Sequence, residues 1–471
     1  MKALEALLAK IDHAVVVRDG VVHVEDEARL KKHLRLLVEA AALSEQPERG
    51  LAQFLIRGAA LDLGIVPSSI NDLYLARGRG EVAPTFTVPA MNLRVLPFWA
   101  ARAVFKNALA IDAGAFIFEI ARSEIGYSDQ RPTEYVAQVL AAAIAEGFRG
   151  PVFIQGDHFQ ISPKRFAENA EAEVQAVRDL SLEAVKAGFY NIDVDTSTLV
   201  DLSRPTIPEQ QELNYKLSAE LTAYIRGIQP EGINVSVGGE IGEVGGHNST
   251  EPELRAYMDG YNAHLAELAP GATGLSKISI QTGTSHGGVV LPDGSIATVK
   301  VDFNTLKHLS RVAREAYGLA GAVQHGASTL PEDAFSKFPE AEACEIHLAT
   351  NFMNILYKHM PADLKEEIYA YLREHHANER KPDMTDEQFY YKTRKRALGP
   401  FKKQIWALDE AVKDAVYADW DAQFHRLFHQ LKIGGTREVV ARTIKPVVVL
   451  PRLEDYVGSG MAGEDVSDLA D

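Results

Sequence analysis

Three histidines of this chain follow short apolar runs: His158 in "FIQGDHFQIS" (153–162), His286 in "TGTSHGG" (282–288) and His325 in "HGAS" (325–328). Three imidazoles delivered from separate strands make a competent cage for Zn²⁺ or another divalent ion, with one position left for water or substrate. Such an ion acts as a Lewis acid on a carbonyl. Asp157, directly before His158, adds a group able to take a proton or bind metal. Any one of the 15 histidines taken alone reads as a hydrogen-bonded loop residue; the coincidence of three at the ends of apolar runs is what suggests a centre. The glycines beside them, in "SHGG" and "HGAS", let backbone approach a ligand, and turn amides with Ser328 and Thr350 suit a phosphate. Read singly, those glycines mark only tight turns.

Side chains from distant stretches need a scaffold that gathers strand ends. Between 85 and 355 eight short runs, often β-branched, alternate with amphipathic stretches: "TFTVPAM" (85–91), "AFIFEIA" (115–121), "PVFIQ" (151–155), "YNIDV" (190–194), "INVSV" (233–237), "LSKISI" (275–280), "LAGAVQ" (319–324) and "ACEIHL" (343–348). Eight βα units over this span predict an α/β fold, a (β/α)8 TIM barrel, with a doubly wound open sheet as the alternative. The barrel gathers its chemistry where strands end and βα loops begin. Residues 1–84 read as an N-terminal helical extension, with Leu30, Leu34 and Leu37 at helical spacing. Residues 356–471 read as a C-terminal helical extension that packs on the barrel exterior or on another subunit, ending in the acidic "GSGMAGEDVSDLAD", expected to be a frayed, solvated tail.

The formal net charge of −16 over 471 residues disfavours nucleic acid and anionic lipid, so a small-molecule partner is expected. The single cysteine, Cys344, rules out an intramolecular disulfide and a cysteine-rich metal cluster, which fits a reducing, cytoplasmic setting. Lys2, Glu5 and Lys10 interrupt the start where a signal peptide needs an apolar run, and no stretch near 18 apolar residues follows, so no membrane association is expected.

The strand exits, in this order, resemble the class II, metal-dependent fructose-bisphosphate and tagatose-bisphosphate aldolases. The likeness is carried by "PAMN" (89–92), "GDH" (156–158), "DTS" (195–197), "GEIGEVGG" (239–246), "GTSHGG" (283–288), "HGAS" (325–328) and "HLAT" (347–350). It implies zinc, or another divalent ion, held by His158, His286 and His325, and a second metal position drawing on Asp195 and Glu240, with Asp193 a rival to Asp195. It implies a catalytic role for Asp157 in proton transfer at the aldehyde-derived oxygen. Gly287, Gly326, Ser328 and Thr350 match phosphate-side positions, and Asn92 and Ser123 match substrate-side ones. The implied reaction is reversible cleavage of a ketose (bis)phosphate such as fructose 1,6-bisphosphate to dihydroxyacetone phosphate and an aldehyde, in glycolysis or related carbohydrate metabolism, by a homo-oligomer.

Two stretches depart from the family. After the strand-5 glycines, where the family carries acidic residues, the chain has His247 and Asn248, so Glu243 or His247 is expected to handle the C3 proton. In the eighth run Glu345 and His347 stand where a lysine and an asparagine are usual, which gives His347 to substrate contact and leaves the ketose open. Two rival readings remain: a Schiff-base aldolase using Lys277, and a noncatalytic scaffold barrel that binds sugar phosphate.

Overall fold

The computed structural model describes residues 2–242, 247–283, 291, 300–328, 330–458, 466 and 468–469. Eight strands form the centre: β1 (Val88–Asn92), β2 (Ile117–Ala121), β3 (Gly150–Gln160), β4 (Asn191–Asp195), β5 (Ser236–Glu240), β6 (Lys277–Ile280), β7 (Ala322–Gln324) and β8 (Glu345–Leu348). Each predicted run overlaps one of them, least at β5, where only Ser236 and Val237 are shared, and β3 continues five residues past its run. All neighbours pair in parallel in chain order, and β8 pairs back onto β1, with Glu345 opposite Val88 and Leu348 opposite Met91. The sheet therefore closes into a (β/α)8 TIM barrel rather than remaining open.

The crossover helices follow the sequence logic. Pro132–Glu146 opens with proline at its first turn and stops at Gly147, whose φ of 75° is cheap only without a Cβ. Glu251–Leu268 is started by a capping box in which Thr250 and Glu253 each bond the other's backbone amide. Apolar faces of these helices pack on the barrel in one continuous core that also takes in Leu30, Leu34 and Leu37 from the N-terminal segment and Trp420 and Phe424 from the C-terminal one.

The terminal segments hold more than helices. Val15–Arg18 and Val21–Val24 form an antiparallel hairpin whose turn, Asp19-Gly20, has both φ values positive, 51° and 79°. Ile65–Ser68 extends the barrel sheet by pairing in parallel with the start of β3, and Pro67 is tolerated because that strand has a neighbour on one side only. The helix Asn71–Gly78 then plugs the N-terminal end of the barrel. Arg77 donates to the carbonyl oxygens of Phe86, Glu342 and Ala343, and the Tyr74 hydroxyl donates to Glu345. The expected solvated tail is anchored where it is described: Val466 and Leu469 are buried, and Asp468 accepts hydrogen bonds from Ser162 Oγ at 2.6 Å and Arg165 Nε at 3.0 Å. A tail of small and acidic residues still offers two apolar anchors and one ion-pair partner. Among the described residues no helix is long and apolar enough to cross a membrane.

Candidate active site and metal centre

The feature that positions the site is a break in β3. Gly156 pairs with Ile192 and Phe159 with Val194, so Asp157 and His158 together face the single residue Asp193 of β4. Two residues against one is a β-bulge, which bends the strand and re-aims side chains. His158 takes a φ of 39°, a left-handed conformation uncommon outside glycine. Gly156 permits the bend, because a Cβ there would lie 2.4 Å from the Phe159 ring. The apolar run of β3 thus ends by delivering Asp157 and His158 to the mouth of the barrel.

His158 lands among carboxylates. Its Nδ1 lies 3.0 Å from Asp195 Oδ2 and 3.4 Å from Glu240 Oε2, and its Nε2 lies 3.9 Å from Asp157 Oδ1. Burial alone would favour the neutral ring, yet Asp157, Glu240 and Asp195 outweigh it and raise the imidazole well above its ordinary value. The same pairing works in reverse on Asp157. Burial pushes its carboxyl up, but His158, His347 and His325 hold it well below the usual carboxylate range. Asn92 Nδ2 donates to Asp157 Oδ2 at 3.0 Å and to Glu124 Oε2 at 2.8 Å, which fixes the Asp157 carboxylate plane. Asp195 is oriented by Gln160 Nε2 at 2.8 Å and Ser197 Oγ at 2.7 Å.

Three imidazoles cluster across the mouth with their planes tilted: His325 lies 4.4 Å from His158 and 4.1 Å from His347, ring centre to ring centre. Ser279 of β6 holds His325 Nε2 at 2.9 Å. Donor atoms of Asp157, His158 and His325, and separately those of His158, Asp195 and Glu240, lie within 4.8 Å of one another. Imidazole and carboxylate donors at that spacing, with surplus negative charge collected on one ring, suit a divalent cation.

His347 runs between this cluster and a deeper one. Its Nδ1 lies 3.1 Å from Asp157 Oδ1 and 3.3 Å from Glu119 Oε1, and its Nε2 lies 2.6 Å from Glu345 Oε1. Below it, Lys277 Nζ pairs with Glu345 and with Asp193 Oδ2 at 2.9 Å. Burial opposes that charge, but Asp193 and Glu345 outweigh it and hold the amine protonated. Ion pairing between two buried carboxylates gives Lys277 a structural role and counts against the Schiff-base alternative. The two rival aspartates also separate: Asp195 faces His158, and Asp193 faces Lys277.

A cavity of about 610 Å³ opens above these groups, within the usual size of a small-molecule site. Asn92, Asp157, His158, His325, Gly326, Ser328, His347 and Thr350 all line it, with Asp195 and Glu240 adjoining through His158. Thr350 starts the helix Thr350–His359, and Ser328 Oγ accepts the neighbouring Ala349 amide. Ser123 is buried in the first turn of Arg122–Tyr127 and is not part of the lining. His247 stands apart, exposed, with Nδ1 2.7 Å from the Asn248 carbonyl oxygen. Glu243, His286 and Gly287 lie outside the described residues. The lining also contains residues that sequence reading passed over. Glu124 was signalled only by its place in "ARSEIG" after β2, and Lys381, Gln388, Tyr391, Lys392 and Lys395 lie far beyond the last barrel strand.

The fold and its mouth define a TIM barrel with an imidazole and carboxylate centre at the strand exits. A sequence model of the class-II fructose-bisphosphate aldolases matches residues 83–414, and the chain belongs to that family. No curated protein matches it. Among solved structures, a probable tagatose 6 phosphate kinase from Sinorhizobium meliloti is similar at 17% identity and a TM-score of 0.51, covering 79% of this chain and 97% of that one. A fructose-bisphosphate aldolase from Campylobacter jejuni is 14% identical with a TM-score of 0.46, covering 79% and 96%. The YdjI aldolase from Escherichia coli K12 is 14% identical with a TM-score of 0.40, covering 73% and 99%. Family membership supports an aldolase, a carbon–carbon lyase; likeness at these identities speaks to fold alone.

Proposed function

We propose that the protein is a cytoplasmic, metal-dependent aldolase that reversibly cleaves a ketose phosphate between C3 and C4 to dihydroxyacetone phosphate and an aldehyde. The observation that carries this reading is the β3 bulge, which brings Asp157 and His158 beside His325 in one cavity. His158 and His325, with His286, which follows β6 in the sequence, would hold the ion, and Asp195 and Glu240 would offer further ligands beside His158. The ion, when bound, supplies positive charge at the C2 oxygen, where negative charge grows as the C3–C4 bond breaks.

The rest falls to side chains. Asp157, held anionic and oriented by Asn92, accepts the proton of the C4 hydroxyl as that oxygen becomes the aldehyde carbonyl. The bonding pair stays with C3, which then takes a proton from the loop after β5, where Glu243 and His247 are the candidates. Gly326, Ser328 and the first turn of Thr350–His359 favour a phosphate anchor for the dihydroxyacetone half, since unpaired amides at a helix start attract an anion.

The test is a cleavage panel of ketose mono- and bisphosphates using full-length protein, before and after chelation and after Zn²⁺ is restored. Cleavage that disappears with the chelator and returns with the ion is expected. Undiminished activity in chelated protein, or full metal content and rate in both His158→Ala and His325→Ala, would sink the reading. Binding of a ketose phosphate with no turnover at any metal loading would instead favour a scaffold barrel.

A further inference from the structure

Imidazoles also meet far from the strand exits. His425 and His429 stand one turn apart on the helix Glu410–Gln430, both exposed, with ring centres 4.6 Å apart and ring planes at 63°. Residues at i and i+4 share one helix face with Cβ atoms about 5–6 Å apart, a spacing at which two imidazoles can grip one ion. The helix that carries them is fixed from its other side. Trp420, Phe424 and Phe428 are buried, Trp420 Nε1 donates to the Phe352 carbonyl oxygen at 3.0 Å, and the Phe424 ring lies 5.0 Å from that of Phe352. Its end lies where the barrel strands begin: the Leu431 carbonyl oxygen accepts the Thr87 amide, next to β1, at 3.0 Å, and Phe428 stacks on Phe116, next to β2. The pair therefore sits at the opposite end of the barrel from Asp157 and His158.

Other histidines near the surface lean on a carboxylate: His308 Nε2 lies 2.7 Å from Glu251, and His359 Nε2 lies 2.7 Å from Asp419. His425 and His429 have no hydrogen bond or ion pair among the described residues and face each other. One turn earlier on the same face, Asp421 already accepts from Lys106 Nζ and Asn107 Nδ2, each at 2.7 Å, so the two rings are the chelate. Arg426, between them in sequence, has its charge answered by Glu332 at 3.1 Å. His429 lies in the last turn, where the helix presents its negative end and favours a cation.

We infer that His425 and His429 form a second, surface metal site, a two-imidazole chelate for a late first-row divalent ion such as Ni²⁺, Cu²⁺ or Zn²⁺, with water completing the coordination. Borderline ions of this kind prefer imidazole, whereas Mg²⁺ and Ca²⁺ prefer oxygen and should not bind there.

Ni²⁺ is the probe. Full-length protein is loaded with Zn²⁺, freed of excess, and titrated with Ni²⁺ by calorimetry beside H425A, H429A, H425A/H429A and H429A/Q430H. These are helix positions that face solvent and that alanine suits. The unaltered chain is expected to show a Ni²⁺ step that H425A/H429A lacks. Each single variant should weaken it about 100-fold, because the second imidazole of a chelate binds as an intramolecular event. H429A/Q430H keeps two histidines but breaks the i, i+4 spacing, and should stay as weak as H429A. Identical isotherms for the unaltered chain and H425A/H429A would overturn the site. So would single variants that keep full affinity, or recovery in H429A/Q430H, since either would mean that the two rings do not share one ion.

Discussion

Two buried groups of ionisable side chains lie one above the other in the barrel, and they balance their charge differently. In the lower group Lys277 sits between Glu345 and Asp193, and Gln155 donates to Glu119 at 2.8 Å and to Glu345 at 3.0 Å while accepting from Lys277 at 2.8 Å. Burial raises the Glu345 carboxyl, but Lys277 and His347 outweigh it and bring it down to about 2. Burial keeps Glu119 protonated far above the usual range. In the upper group, Asp157, Asp195 and Glu240 surround His158, and the cations beside them among the described residues are imidazoles, His158 and His347, whose charge can be lost. The lower group carries its permanent counter-ion within the chain and reads as structure. The upper group has a place for a cation from outside, which is what a site needs.

Removing Asp157, the proposed proton acceptor of the upper group, should have the largest effect. Asp157→Asn is expected to lower kcat by about 10²- to 10⁴-fold, because the amide cannot accept the C4 hydroxyl proton; single-turnover cleavage by metal-loaded protein measures it. In the lower group the loss should instead be of stability. Lys277→Met leaves Glu345 and Asp193 buried without their cation, at a cost of about 3–5 kcal/mol in denaturant unfolding. Metal content per folded chain should stay as it was. A Lys277→Met protein that kept its stability and lost its metal would erase the distinction between the two groups.

Asp193 gives the lower group a pH signature. Burial raises its carboxyl from an ordinary 3.8 to about 6, with Lys277 opposing the rise. As pH climbs, the unfolded chain therefore releases this proton before the folded chain does. Between about pH 4 and 6 the folded state binds more protons, so stability falls as pH rises through that window. The total loss is about 3 kcal/mol, because each tenfold difference in proton affinity between the folded and unfolded chain is worth about 1.4 kcal/mol. Asp193→Asn should flatten that slope. Unfolding free energies measured at half-unit steps from pH 4 to 7 in both proteins decide it, and identical slopes would mean that Asp193 is already ionised in the folded state at pH 4.

How much of this was legible depended on how far each signal reaches along the chain. The eight strands were readable because each is a local apolar run beside a helical period, and the order of their exits supplied the candidate residues, of which Asn92, Asp157, His158, His325, Gly326, Ser328, His347 and Thr350 line one cavity. The hairpin at 15–24 escaped a reading keyed to leucine spacing, although Asp19-Gly20 is a hairpin turn on its face. The bulge was not readable, since alternation says nothing about an inserted residue in the partner pairing; Gly156 was its only local mark. Nor could spacing separate Asp193 from Asp195. Two residues apart, they lean toward the same side of β4, and only the three-dimensional neighbours, Lys277 and His158, tell them apart. The part of the lining drawn from residues 381–395 was beyond reach for the opposite reason: nothing local ties those residues to strand exits that end at Leu348.

His347 is where the two groups meet, and it gives the smallest and most discriminating effect. One ring nitrogen reaches Asp157 and the other Glu345, while the ring packs at a tilt against His325. If its main work is to hold Asp157 and His325 in place, His347→Gln should weaken metal binding or lower kcat by about 10- to 100-fold, the range seen when a partner of a metal ligand or catalytic group is removed. KM for the ketose phosphate would then change little, because few substrate contacts are lost. If its main work is instead substrate contact, as the sequence position implied, the loss should fall on KM and leave metal affinity alone. Metal titration and the kcat–KM split on one variant therefore assign His347 to the link between the groups or to the substrate wall.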